Sequence, residues 1–139
     1  MKPNKILLTL ATISVMTHVT YAQDGATLFE AKCTACHVTT HPRDKSTLVA
    51  PPVMGVMRHV KMTYGTKEEA VKFVTEYALN PQVNKAVCMP QKIKSFGLMP
   101  SQKGNVTEEE LQTIASWMYD NFPSKGFQGK GHGKSCKGK

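Results

Sequence analysis

The chain has 139 residues, 40% hydrophobic and 20% charged, which fits one ordinary domain with a tail and excludes a collagen-like or wholly disordered chain. Aromatic residues make up only 7%, so a core of this size gains from a bulky non-protein group at its centre. The formal net charge is +8, but residues 23–124 carry 11 basic and 10 acidic groups, and five lysines follow Pro123; the basicity belongs to a tail, not to a nucleic-acid-binding face.

Residues 1–22 read as a secretory signal. Lys2 and Lys5 precede an apolar run over residues 6–16, and the small Ala22 offers a cut site. The run falls short of the roughly 20 apolar residues that a membrane-spanning helix needs. Cleavage before Gln23 leaves 117 residues with a net charge of +6 and implies export to the periplasm. Thr20 is less usual than Ala three positions before the cut, so an uncleaved N-terminal anchor is the alternative.

Three helical segments follow within a domain over residues 23–122. The first starts near Asp24, an available N-cap, and runs through Gly25, Phe29 and Lys32 into a cysteine motif. The second starts at the capping box Thr66-Lys67-Glu68-Glu69, presents Ala70, Phe73, Val74, Tyr77 and Ala78 on one face, and ends at Asn80-Pro81. The third starts at Thr107-Glu108-Glu109-Glu110, continues through Leu111, Ile114, Ala115, Met118 and Phe122, and stops at Pro123. No segment shows strand alternation. Residues 39–56 and 81–106, punctuated by Pro and Gly, read as irregular, and a bound cofactor would supply their packing. Residues 123–139 hold five Gly and five Lys, a composition that reads as a flexible tail. It is either a solvated end or a handle toward an acidic partner or an anionic membrane surface.

The chemistry is concentrated in Cys33-Thr34-Ala35-Cys36-His37. In this spacing two thiols can add to the two vinyl groups of one haem while the adjacent His reaches the iron. A thioredoxin-like dithiol would need a preceding strand, and a zinc site a second paired motif; Cys88 and Cys136 stand 48 residues apart and form none. In an oxidising compartment those two cysteines would either bridge, tethering the tail to the long loop, or remain separate, with Cys136 open to pairing between molecules.

With this motif the chain resembles the small class I cytochromes c over about residues 24–122. Gly25 and Phe29 stand eight and four residues before Cys33, at the family's offsets for a helix crossing, and Ile114 with Trp117 looks like the matching C-terminal pair. Ala50-Pro51-Pro52-Val53-Met54-Gly55 resembles the family's loop whose Pro carbonyl accepts a hydrogen bond from the ligating His. The resemblance favours Pro51, four residues before Gly55, with Pro52 as the alternative. Phe96-Gly97-Leu98-Met99-Pro100 resembles the Met-Pro loop that supplies the sixth iron ligand, here Met99, and Met89-Pro90 is a competitor. Met54, Met57, Met62 and Met118 read as adaptable packing around the cofactor. His41 reads as a loop residue, His59 beside Arg58 and Lys61 as exposed, and His132 belongs to the tail; His132 with Cys136 makes only a weak metal pair.

The resemblance implies an all-α, cytochrome c-like fold of three main helices around one covalently bound haem c. Cys33 and Cys36 would attach it, with His37 and Met99 on the iron and Pro51 behind His37. The implied function is that of an exported one-electron carrier, not an enzyme, between redox protein partners. Two other classes stay open: a haem enzyme subunit or gas sensor with a labile sixth position, and a non-haem protein using Cys33 and Cys36 as a dithiol.

Overall fold

Three of the helices begin where a side chain replaces the missing helical acceptor for the first N–H groups. In a computed structural model, which describes residues 24–40, 42–87 and 90–125, Asp24 Oδ1 accepts from the Thr27 N–H at 2.9 Å and opens α1 (Gly25–Cys33). Residues 1–22, His41, Cys88, Met89, His132 and Cys136 lie outside the described residues. Thr66 and Glu69 close a reciprocal capping box at α3 (Lys67–Leu79), and Thr107 and Glu110 close another at α5 (Glu108–Asn121). Each box satisfies two N–H groups that the helix itself leaves bare. Asn80 and Phe122 cap the far ends, where Pro81 and Pro123 forbid another turn.

Two further helices correct the reading of residues 39–56 and 81–106 as irregular. The first is α2 (Val53–Thr63), which starts directly after Pro52 without a side-chain cap. Its β-branched residues and Gly55 gave little helix propensity, and the double proline suggested a turn. The spacing of Val53, Met57 and Val60 is nevertheless helical, and all three are buried. The second is α4 (Pro90–Phe96), opened by a proline, an acceptable first helical residue. None of its residues is buried, so no apolar stripe could announce it. A single 3₁₀ turn covers Val83–Lys85, and no described residue is in a strand.

The core sits where α5 packs on α1, on α3 and more lightly on α2. Phe29, Val53, Met57, Val60 and Ile114 are its largest fully buried side chains, each contributing about 1.5–3 kcal/mol by leaving water. Gly25 lets α1 and α5 approach closely: a Cβ there would lie 2.3 Å from Trp117 Cβ and 2.7 Å from the Thr113 carbonyl oxygen. Beside that contact the Phe29 and Trp117 rings lie 5.2 Å apart, and Phe122 meets Trp117 edge-on at 5.3 Å. On the other flank Lys67 bonds Asp120 at 2.6 Å and Lys61 lies over the Tyr119 ring. Among the described residues no helix is long and apolar enough to cross a membrane.

Candidate cofactor site

The cysteine motif begins as the last residue of α1 and leaves it as a turn. The Cys33 carbonyl accepts from the Cys36 N–H at 3.2 Å and the His37 N–H at 2.8 Å, so one turn of chain carries both thiols and the imidazole. The Thr34 hydroxyl donates to the Glu30 carbonyl at 2.6 Å and secures the helix end behind them. Beyond the motif, the Val53 N–H donates to the Val38 carbonyl at 3.0 Å. That bond draws residues 51–53 alongside His37.

The Pro51 carbonyl oxygen then stands 2.8 Å from His37 Nδ1. A carbonyl can only accept, so in the neutral imidazole Nδ1 carries the hydrogen and Nε2 keeps a lone pair for a metal. The Pro52 carbonyl is engaged elsewhere, accepting from Gly55 and Val56 in the first turn of α2. Burial holds the His37 pKa below its ordinary value, and the bond to Pro51 partly opposes that. Burial outweighs the bond and leaves the ring a neutral ligand near pH 7.

His37 lines an apolar cavity of about 1410 Å³, its open mouth included. Cys33, Cys36 and Met99 share the lining. Val53, Val56 and Val60 of α2 form one wall, Phe73, Val74, Tyr77 and Ala78 of α3 another, and Ile114 and Met118 of α5 a third. Phe73 and Tyr77 stack at 5.4 Å, and Tyr64 continues the row at 4.8 Å. Ile93 and Phe96 of α4 lie on the lining too, although α4 buries no residue and touches the other helices only slightly. Lys32 and Lys92 are the cationic side chains of the lining.

Burial, reinforced by the neighbouring Cys36, pushes the Cys33 thiol up to about 11, so it is a protonated thiol near neutral pH. Cys36 is exposed. The donor set tests the expected group directly: two thiols on one turn, an imidazole of defined tautomer and a thioether, all on one apolar wall system, fit a large planar iron macrocycle. Among the described residues no three His, Cys, Asp or Glu side chains cluster as a bare-metal site.

Several residues sit elsewhere than expected. Met118 lines the cavity, whereas Met54 and Met57 are buried away from it and Met62 is 54% exposed. His59 is half-buried, not exposed, and lies off the lining; burial together with Arg58 and Lys92 lowers its pKa. The α2 valines were missed as site residues although their helical spacing was visible. Ser101 and Gln102, beside Met99, carried no local signal.

Residues 22–121 match the protein family described as Cytochrome c. A protein of Aquifex aeolicus (strain VF5), described as an uncharacterized protein, is 33% identical over 127 residues, which span 81% of this chain and 84% of the relative. No solved structure matches the chain.

Proposed function

The chain belongs to the cytochrome c family, and from that premise we propose that it is an exported carrier of single electrons with one haem, ligated by His37 and Met99. Family membership makes it a class I c-type cytochrome domain, a haem-based electron carrier with covalently bound haem c. The observation that carries the finer reading is the common lining: Cys33, Cys36, His37 and Met99 all border one apolar cavity.

Haem c supplies a one-electron ferric/ferrous couple when bound. The Cys33 and Cys36 thiols would hold the group covalently, each adding across one of its vinyl groups, and His37 Nε2 would ligate its iron, with the ring's tautomer held by Pro51. The Met99 thioether would be the second iron ligand, favouring the ferrous state and raising the potential. Val53, Val60 and Ile114, each about 1% exposed or less, exclude water from the iron environment. Val49 and Leu98, exposed on the cavity lining, leave an apolar rim where a redox partner docks weakly and briefly. No bond-making step at iron is required, so the chain acts as a carrier and not an enzyme. Residues 1–22 direct export to the periplasm, and the lysine-rich tail steers the domain toward an acidic partner.

The test is the optical spectrum of the exported, matured protein with its intact mass. One added haem, a low-spin spectrum with the near-infrared band of a ferric thioether ligand, and indifference to carbon monoxide are expected. A high-spin or carbon-monoxide-sensitive spectrum would move Met99 off the iron and favour a sensor or enzyme subunit. Absence of covalent haem would leave Cys33 and Cys36 as a dithiol.

A further inference from the structure

The last carbonyls of an α-helix have no partners within it, and at α3 two of them are satisfied from the segment beside Met99. The Ser101 hydroxyl donates to the Leu79 carbonyl at 2.6 Å, and the Gln102 N–H donates to the Ala78 carbonyl at 2.9 Å. Pro81 prevents the helix from continuing and competing for the same space. Ser101 Oγ also accepts from the Lys103 N–H at 3.3 Å, while the Gln102 side-chain amide donates to the Pro100 carbonyl at 2.9 Å. The Gln102 carbonyl accepts from the Asn105 N–H at 3.0 Å and the Val106 N–H at 3.2 Å. Residues 100–106 therefore form one hydrogen-bonded unit seated on the end of α3.

Met99 enters that unit through Pro100, which fixes its own φ and biases the preceding residue to extended backbone. On its other side the Gly97 N–H donates to the Ile93 carbonyl at 2.8 Å, a bond that ties the chain only to α4. Gly97 turns through φ 76°, Leu98 is 39% exposed, and α4 buries no residue. The position of the Met99 sulfur is thus set from its C-terminal side, by α3. The same helix presents Phe73, Val74, Tyr77 and Ala78 to the cavity, so wall and sulfur share one frame.

We propose that Ser101 is a positioning residue for the sixth ligand: its hydrogen bond to the Leu79 carbonyl keeps the Met99 thioether in register with the α3 wall, and so determines how firmly sulfur stays on iron. The inference rests on the His37/Met99 reading. Loss of the hydroxyl frees residues 99–101 from the helix end without removing any cavity-lining group, so the thioether leaves more readily while the helices persist.

The experiment compares the holoprotein with its Ser101→Ala, Ser101→Thr and Met99→Ala variants. The readouts are the ferric thioether band, followed on heating beside the helix signal, and carbon monoxide uptake by the ferrous form. Ser101→Ala is expected to lose the band at a lower temperature than the helices melt, and to raise the carbon-monoxide-accessible population about fivefold, as loss of one ordinary hydrogen bond would. Ser101→Thr, which keeps the hydroxyl, is expected to match the wild type. A Ser101→Ala protein with wild-type band, uptake and melting overturns the inference. A wild-type protein without the band, unchanged by Met99→Ala, overturns the ligation reading and the inference with it. Should Ser101→Ala not mature, hydrogen exchange on the wild type decides: a Gln102 amide as protected as the α3 interior supports the anchoring, and one exchanging like an exposed loop overturns it.

Discussion

The Pro51 carbonyl oxygen lies 2.8 Å from His37 Nδ1 across 14 residues of sequence, and this contact selects both the ring's tautomer and the nitrogen left for a metal. The acceptor is main chain, so the identity of residue 51 matters through rigidity and not through a side-chain atom. Pro51→Ala is expected to keep a near wild-type potential. Pro51→Gly, which frees the loop, is expected to raise it, because a weaker N–H···O bond makes the imidazole a poorer donor to ferric iron. A redox titration of the three proteins checks the order.

Gly25 is the tightest point of the helix crossing. A methyl group there would overlap Trp117 Cβ and the Thr113 carbonyl, neither of which can swing aside as a flexible side-chain end would. Gly25→Ala is therefore expected to cost about 1–3 kcal/mol by forcing α1 and α5 apart, despite alanine's better helix propensity. Denaturant unfolding measures the loss, and an unchanged midpoint would contradict the close crossing.

Thr75 is 3% exposed on α3, and its hydroxyl has no hydrogen-bond partner among the described residues. It is not among the residues that line the cavity. An unpaired buried hydroxyl costs about 1–3 kcal/mol of desolvation. Thr75→Val, close in shape, is expected to raise the thermal midpoint. Thr75→Ala should gain less or lose, because it also removes packing.

Asp24 titrates below the ordinary carboxylate range, first because its carboxylate accepts from the Thr27 N–H and then because it accepts from the Thr27 hydroxyl. A folded-state pKa depressed in this way contributes stability that is present above the unfolded value, near about 3.9, and is lost as pH falls through the folded one. Wild-type stability should therefore decline more steeply below about pH 4 than that of Asp24→Asn, which keeps an acceptor but no charge. Thermal midpoints of the two proteins across that range report the difference.

The starts of α1, α3 and α5 were legible because a cap acts over three residues: Asp24 to Thr27, Thr66 to Glu69 and Thr107 to Glu110 can be judged from neighbours alone. The ends at Pro81 and Pro123 were legible for the same reason. The clustering of two thiols and an imidazole on one turn is equally local, since Cys33, Cys36 and His37 lie within five consecutive residues. α2 was hidden behind Pro51-Pro52 although its buried valines and methionine repeat at helical spacing. α4 was hidden because it buries nothing, and an exposed seven-residue helix leaves no periodic trace.

What only tertiary structure decided are the contacts that close over long separations. Two adjacent prolines offer the same carbonyl, and the Val38–Val53 bond aims that of Pro51 at His37 while the α2 turn occupies that of Pro52. Ser101 and Leu79 lie 22 residues apart, and nothing near either predicts their bond. Local sequence determined where α1, α3 and α5 begin and that two thiols and an imidazole share one turn, because capping and the Cys33-to-His37 spacing act within a turn of chain. The arrangement of those residues in one cavity depended on how the apolar faces of α1, α2, α3 and α5 bury one another, a property of the whole chain that no short window contains.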